Sequence, residues 1–159
     1  MIREFENQDV NDVIDLAESH CKENGSGFGL FHEEDLIKLI KKIKVAEDWH
    51  GIVYTEGDRV YGYAACQIQW NPWNRYKEGI IQYFYIHPSK RNGFLSKSLF
   101  NACEQWFEKQ VCDYFMASTM AFDENFEVND QNDEFLEQAD GFFGRMMTPA
   151  GSYYVKGVK

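Results

Sequence analysis

Gly79-Ile80-Ile81-Gln82-Tyr83-Phe84-Tyr85-Ile86-His87-Pro88-Ser89-Lys90-Arg91-Asn92-Gly93-Phe94-Leu95-Ser96-Lys97-Ser98-Leu99 holds the key to the fold. Ile80, Ile81, Tyr83, Phe84, Tyr85 and Ile86 are nearly continuous, so this strand offers apolar side chains to both of its faces. Such a strand belongs at a sheet centre covered by helices. Pro88 and Gly93 then break the chain. Leu95, Leu99, Ala102, Cys103, Trp106 and Phe107 follow at helical spacing, which predicts an amphipathic helix to about Gln110. The stretch is therefore one β-turn-α unit.

On the N-terminal side, residues 2–5 predict a short strand, and Val10, Val13, Ile14, Ala17 and Cys21 put a helix over 8–22. Gly25, Gly27 and Gly29 form a loop. Leu36, Leu39, Ile40 and Ile43 mark a second helix over 32–47. Residues 51–55 and 60–70 read as strands joined by a hairpin turn at Glu56-Gly57-Asp58-Arg59. Asn71-Pro72-Trp73-Asn74 is a turn that exposes aromatic rings. On the C-terminal side, 114–120 predicts a strand, 130–139 a short acidic helix, and 142–147 and 152–158 two last strands. The order β-α-α-β-β-β-α-β-α-β-β gives an α/β fold: a mixed, mostly antiparallel, twisted sheet with helices on both faces. The 159 residues suit a single domain over 1–159.

Composition narrows the function classes. A formal net charge of −10 disfavours nucleic acid, because phosphate binding needs a basic stripe. No apolar run approaches the roughly 20 residues that span a bilayer, and the N-terminus lacks a signal core. The expectation is a cytoplasmic protein with no membrane partner. Cys21, Cys66, Cys103 and Cys112 form no C-x-x-C pair, so no zinc is expected, and Cys66 and Cys103, on apolar faces, read as buried, reduced thiols. Between Asp123 and Asp140 lie eight carboxylates and no Lys or Arg. That segment reads as a solvated surface or as one that attracts an amine or a basic partner. Asp123, Asn125, Glu127, Asn129, Gln131 and Glu134 have the oxygen spacing of a calcium loop, but Val128 stands where such a loop needs glycine, so no metal is expected. Trp70, Trp73 and Tyr76 close a sheet end, line an acceptor pocket, or meet a protein partner.

The element order and the quoted stretch resemble the GNAT superfamily of N-acyltransferases. Ile86-His87-Pro88, Arg91 and the helix pattern Leu95, Leu99 fit the family's strand-turn-helix in register. Phe135-Leu136 with Gly141-Phe142, and Tyr153-Tyr154-Val155-Lys156, resemble its C-terminal pieces. The resemblance implies the acyl-CoA N-acyltransferase fold and an acetyl-CoA-dependent enzyme that acylates an amine of a small molecule or protein. It places coenzyme A on the backbone of Tyr85 and Ile86 and on Arg91, Asn92, Gly93, Phe94, Leu95, Ser96 and Lys97, where helix-start N–H groups and the helix dipole hold a diphosphate.

Two departures keep an alternative open. Phe94 stands at the family's first glycine and Ser96 at its second Gly/Ala position, and Leu136 stands where many members place the tyrosine that serves as general acid. Some bacteriophage virion and head-assembly proteins are GNAT-like in this way, so a catalytically inactive binding or assembly module is the second reading. For an active enzyme, acyl transfer needs a base for the amine and an acid for the thiolate. Glu78, two residues before the strand position where some members carry Glu, is the candidate base acting through water, and Tyr85 the candidate acid. Tyr83, His87 and Ser118 are further substitutes.

Overall fold

In a computed structural model of the chain, residues 1–23, 32–117 and 130–148 are described, with side chains from 136 onward in the last segment. Two compact units emerge: Met1–Ala17 with His32–Ser118, and Glu18–Phe31 with Thr119–Lys159.

The first unit is a five-stranded sheet in the order β1-β2-β3-β4-β5. The strands are β1 (Ile2–Glu4), β2 (Trp49–Glu56), β3 (Arg59–Trp70), β4 (Lys77–Ile86) and β5 (Tyr114–Ala117). The first four pair antiparallel, and β4 pairs with β5 in parallel from Glu78↔Tyr114 to Ile81↔Ala117. Short hairpin turns join β2, β3 and β4. The parallel pair needs a crossover, which α3 (Gly93–Lys109) supplies. The other helices are α1 (Val10–Glu23), α2 (Glu33–Val45) and α4 (Asp130–Met146).

Strand alternation sorts the core into two layers. Gly51, Val53, Tyr63 and Ala65 share one face, on which Val13 of α1 and Ile40 and Ile43 of α2 pack. His50, Cys66, Ile81 and Gly79 share the other, covered by α3. Trp106 stacks on His50 at 5.0 Å between ring centroids. Cys66 and Cys103, both fully buried and free, meet between β3 and α3, and their mutual hydrogen bond, then burial, push the Cys66 thiol up. These are unreactive thiols, as the sequence predicts. Gly79 lets α3 approach: an added β-carbon would lie 2.4 Å from the Phe107 ring, which itself stacks on Phe115 at 5.0 Å.

The N-terminal strand is tied down by a charged pair. Arg3 donates from both guanidinium nitrogens to buried Asp9, at 2.6 and 2.7 Å, and the amide of Glu6 donates to the same carboxylate.

One expected element differs. Residues 142–147 are not a strand: α4 runs from Asp130 to Met146. Leu136, Ala139, Phe143 and Met146 recur at helical spacing, and Gly141 and Gly144 sit inside the helix. The cost of an interior glycine, about 1 kcal/mol, is within what an apolar stripe offsets. The loop over 25–29, the end of the fifth strand at 118–120, the calcium-like stretch up to Asn129 and the strand at 152–158 lie outside the described residues.

Candidate functional site

The sequence candidates gather at two places on β4. The first is its C-terminal end. The amide of His87 donates to Tyr61 O at 2.8 Å and closes the sheet. A 3₁₀ turn, Pro88–Lys90, follows, with His87 Nδ1 accepting from the Ser89 amide at 3.3 Å. His87 thus works as a cap. Arg91 Nε donates to Ile86 O at 2.9 Å, and its guanidinium lies 5.3 Å from the centroid of the Tyr85 ring. The side chain is so held beside the start of α3. Asn92, in extended backbone, caps the helix: its Oδ1 accepts from the Leu95 amide at 2.8 Å.

Burial of Leu95 and Leu99 fixes the rotation of α3. Phe94 then falls on the solvent side and is 84 % exposed. A β-carbon added at Gly93 would meet nothing within 4 Å. The first turn of α3 contains no acidic residue. The helix start is therefore an open, dipole-positive surface with Arg91 and Lys97 exposed around it.

The second place is the N-terminal end of β4. Glu78 is 4 % exposed and shares a face with Gln69, its register partner on β3, and with Tyr114, its partner on β5. Its Oε1 accepts from Gln69 Nε2 at 2.5 Å; its Oε2 accepts from Tyr114 Oη at 2.5 Å and from Asn71 Nδ2 at 3.1 Å. The Gln69 and Tyr114 bonds outweigh burial and hold the carboxyl below its usual range, while the same bond to Glu78 raises the Tyr114 phenol. Asn71 also shapes the turn: its Oδ1 accepts from the Trp73 amide and its backbone amide donates to Tyr76 O. Trp70, Trp73 and Tyr76 are 67 %, 93 % and 51 % exposed. The Tyr76 ring meets the Tyr114 ring edge-on at 6.2 Å.

The expected pair is thereby separated. Tyr85 is buried on the same face as Glu78, against Tyr63. The two lie about 20 Å apart at roughly 3.3 Å per strand residue, so they do not serve one reacting centre. Between them β4 carries a bulge: Ala65 pairs with Tyr83 but Cys66 with Ile81. Gln82 is the extra residue, and its Nε2 donates to Gln67 Oε1 at 2.9 Å. Tyr83 is exposed beside it, at 42 %. Ser118 lies outside the described residues. Gln69, Asn71 and Tyr114 were not among the sequence candidates. The signal for Gln69 lay in the hairpin: closing the turn over 71–76 sets it opposite Glu78.

The sequence profile of the acetyltransferase (GNAT) family matches residues 14–142. No curated protein sequence matches the chain. Among solved structures, a GNAT family acetyltransferase of Staphylococcus aureus is similar at 17% identity and TM-score 0.67, covering 99% of this chain and 98% of that one. An acetyltransferase of Trypanosoma brucei is similar at 15% identity and TM-score 0.71, covering 100% and 99%. An aminoglycoside 6'-N-acetyltransferase of Acinetobacter haemolyticus is similar at 12% identity and TM-score 0.68, covering 100% and 99%. The profile spans most of the chain and these structures carry its fold throughout: the chain belongs to the acetyltransferase (GNAT) family.

Proposed function

We propose that the protein is an acyl-CoA-dependent N-acyltransferase, with acetyl-CoA as donor and an amine as acceptor. The observation that carries this reading is the open, cation-flanked start of α3 directly after β4. A diphosphate needs backbone N–H donors and positive charge, and the residues present fit it: no side chain fills the space over Gly93, Phe94 turns outward, and Arg91 and Lys97 stand exposed. Residues 85–86 and 91–97 would hold coenzyme A. When bound, acyl-CoA would supply a thioester: its carbon–sulfur bond breaks as the carbon–nitrogen bond forms, the amine nitrogen gives up a proton to water, and the coenzyme A thiolate takes one up and leaves as the free thiol.

This chain's own contribution is mainly positional. Arg91, anchored on Ile86 O and on the Tyr85 ring, ties the cation to the end of β4. Tyr85 is then a support for Arg91. Glu78, held ionised by three donors, is a weak proton acceptor, since base efficiency falls as pKa falls. Its part is electrostatic, and the amine's proton leaves through water.

The test is release of free thiol from acetyl-CoA in the presence of a panel of amines and peptides. Thiol release that depends on the amine is expected. If no amine elicits release and acetyl-CoA does not bind, the transferase reading is overturned in favour of a binding module.

A further inference from the structure

Glu78 presents an unusual combination. It is an almost fully buried carboxylate held in its charged form, yet among the described residues no Lys, Arg or His forms an ion pair with it. Buried carboxylates are almost always paired. Its partners are neutral: an amide, a second amide and a phenol. A carboxylate offers about four acceptor positions, and three are used here. Directly beside it stand two aromatic rings, Tyr114 and the half-exposed Tyr76, set edge to face. A buried negative charge that keeps one acceptor position and lies beside a pair of aromatic rings, one of them half-exposed, fits an organic ammonium. The chain's net charge of −10 draws such a cation toward the protein.

We propose that Glu78, Tyr76 and Tyr114 form a cation subsite that binds an ammonium group of the acceptor other than the nitrogen that is acylated, so that the preferred acceptor is a small di- or polyamine. This rests on the transferase reading for its place in the reaction, but the binding itself does not. Tyr76 and Tyr114 offer ring faces, Glu78 supplies the counter-charge, and Gln69 and Asn71 are positioning residues that orient its oxygens. The specificity is for a second positive charge and not for chain length.

The test compares cadaverine with pentylamine, which share a carbon chain but differ in the second nitrogen. In thiol-release assays the wild type has a KM for cadaverine about tenfold below that for pentylamine, the size of one desolvated cation contact. Glu78→Gln brings the ratio near one. Tyr76→Leu, at a half-exposed position, shrinks the tenfold difference several-fold and keeps the test open should Glu78→Gln fail to fold. A wild-type ratio near one, or a ratio that survives both substitutions, overturns the subsite. Calorimetry of cadaverine alone separates the two readings. Failure to acetylate either amine leaves the transferase reading in place, since that reading fails only when no amine or peptide elicits thiol release and acetyl-CoA does not bind. The subsite then stands if cadaverine binds the wild type and weakens in Tyr76→Leu, and falls if it binds neither.

Discussion

Replacing Gly79 by alanine tests how closely α3 must lie against β4 for its N-terminus to sit at the strand's end. On intrinsic grounds the change favours folding, because glycine inside a strand costs about 0.5–1 kcal/mol relative to alanine. The packing opposes it. The new methyl group would lie 2.4, 2.6 and 2.8 Å from three carbons of the Phe107 ring, well inside contact distance. Phe107 is 1 % exposed, stacked on Phe115 and in tilted contact with Trp106, so the ring has nowhere to retreat. Overpacking of this kind costs about 1–3 kcal/mol or somewhat more. The overlap wins, with a net destabilisation of about 2 kcal/mol. For a chain of this size that lowers Tm by about 4–8 °C. Thermal and urea unfolding of Gly79→Ala measure it directly, and Gly79→Ala with Phe107→Leu should recover about 1 kcal/mol relative to the sum of the single changes, since the two positions are in contact. A Gly79→Ala protein as stable as wild type, or more so, would refute the close approach.

Two further outcomes follow from the caps and the charged pair. Burial raises the Asp9 carboxyl, but the hydrogen bonds from Arg3 and the Glu6 amide outweigh it, and its pKa lies below the ordinary range. A depressed carboxyl stabilises the fold above its unfolded pKa of about 4 and loses that effect as pH falls through the folded value. Asp9→Asn should therefore cost about 2–3 kcal/mol at pH 7, with the difference from wild type shrinking below about pH 4; a difference constant down to pH 2 would contradict the pairing. Asn92→Ala removes the cap on the Leu95 amide and should cost about 1 kcal/mol of stability in chemical denaturation; no loss would mean that the cap contributes nothing.

The β-turn-α unit was legible because two signals agree: a doubly apolar strand ending at Ile86 and a helical stripe beginning at Leu95. The outward placement of Phe94 follows from the same stripe, since Leu95 and Leu99 set the helix rotation. The C-terminal segment misled because the short apolar run Phe142-Phe143 with Met146-Met147 fits a strand as well as a helix, while Leu136, Ala139, Phe143 and Met146 keep the period of a helix. The Glu78 network was only half legible. Glu78 stood out, but its partners come from β3, the 71–76 turn and β5, residues up to 36 positions away whose convergence depends on register. A sequence shows a carboxylate; it does not show that three neutral donors hold it charged, which turns a candidate base into a counter-ion.

Isothermal calorimetry of acetyl-CoA binding to the wild type and to the Arg91→Ala, Lys97→Ala double variant tests the central claim most directly. Saturable binding is expected in the wild type. The double variant should bind about tenfold more weakly, as expected for two exposed cations removed from a diphosphate. Absence of binding at millimolar acetyl-CoA, or equal affinity in the two proteins, would contradict the placement of coenzyme A at the start of α3.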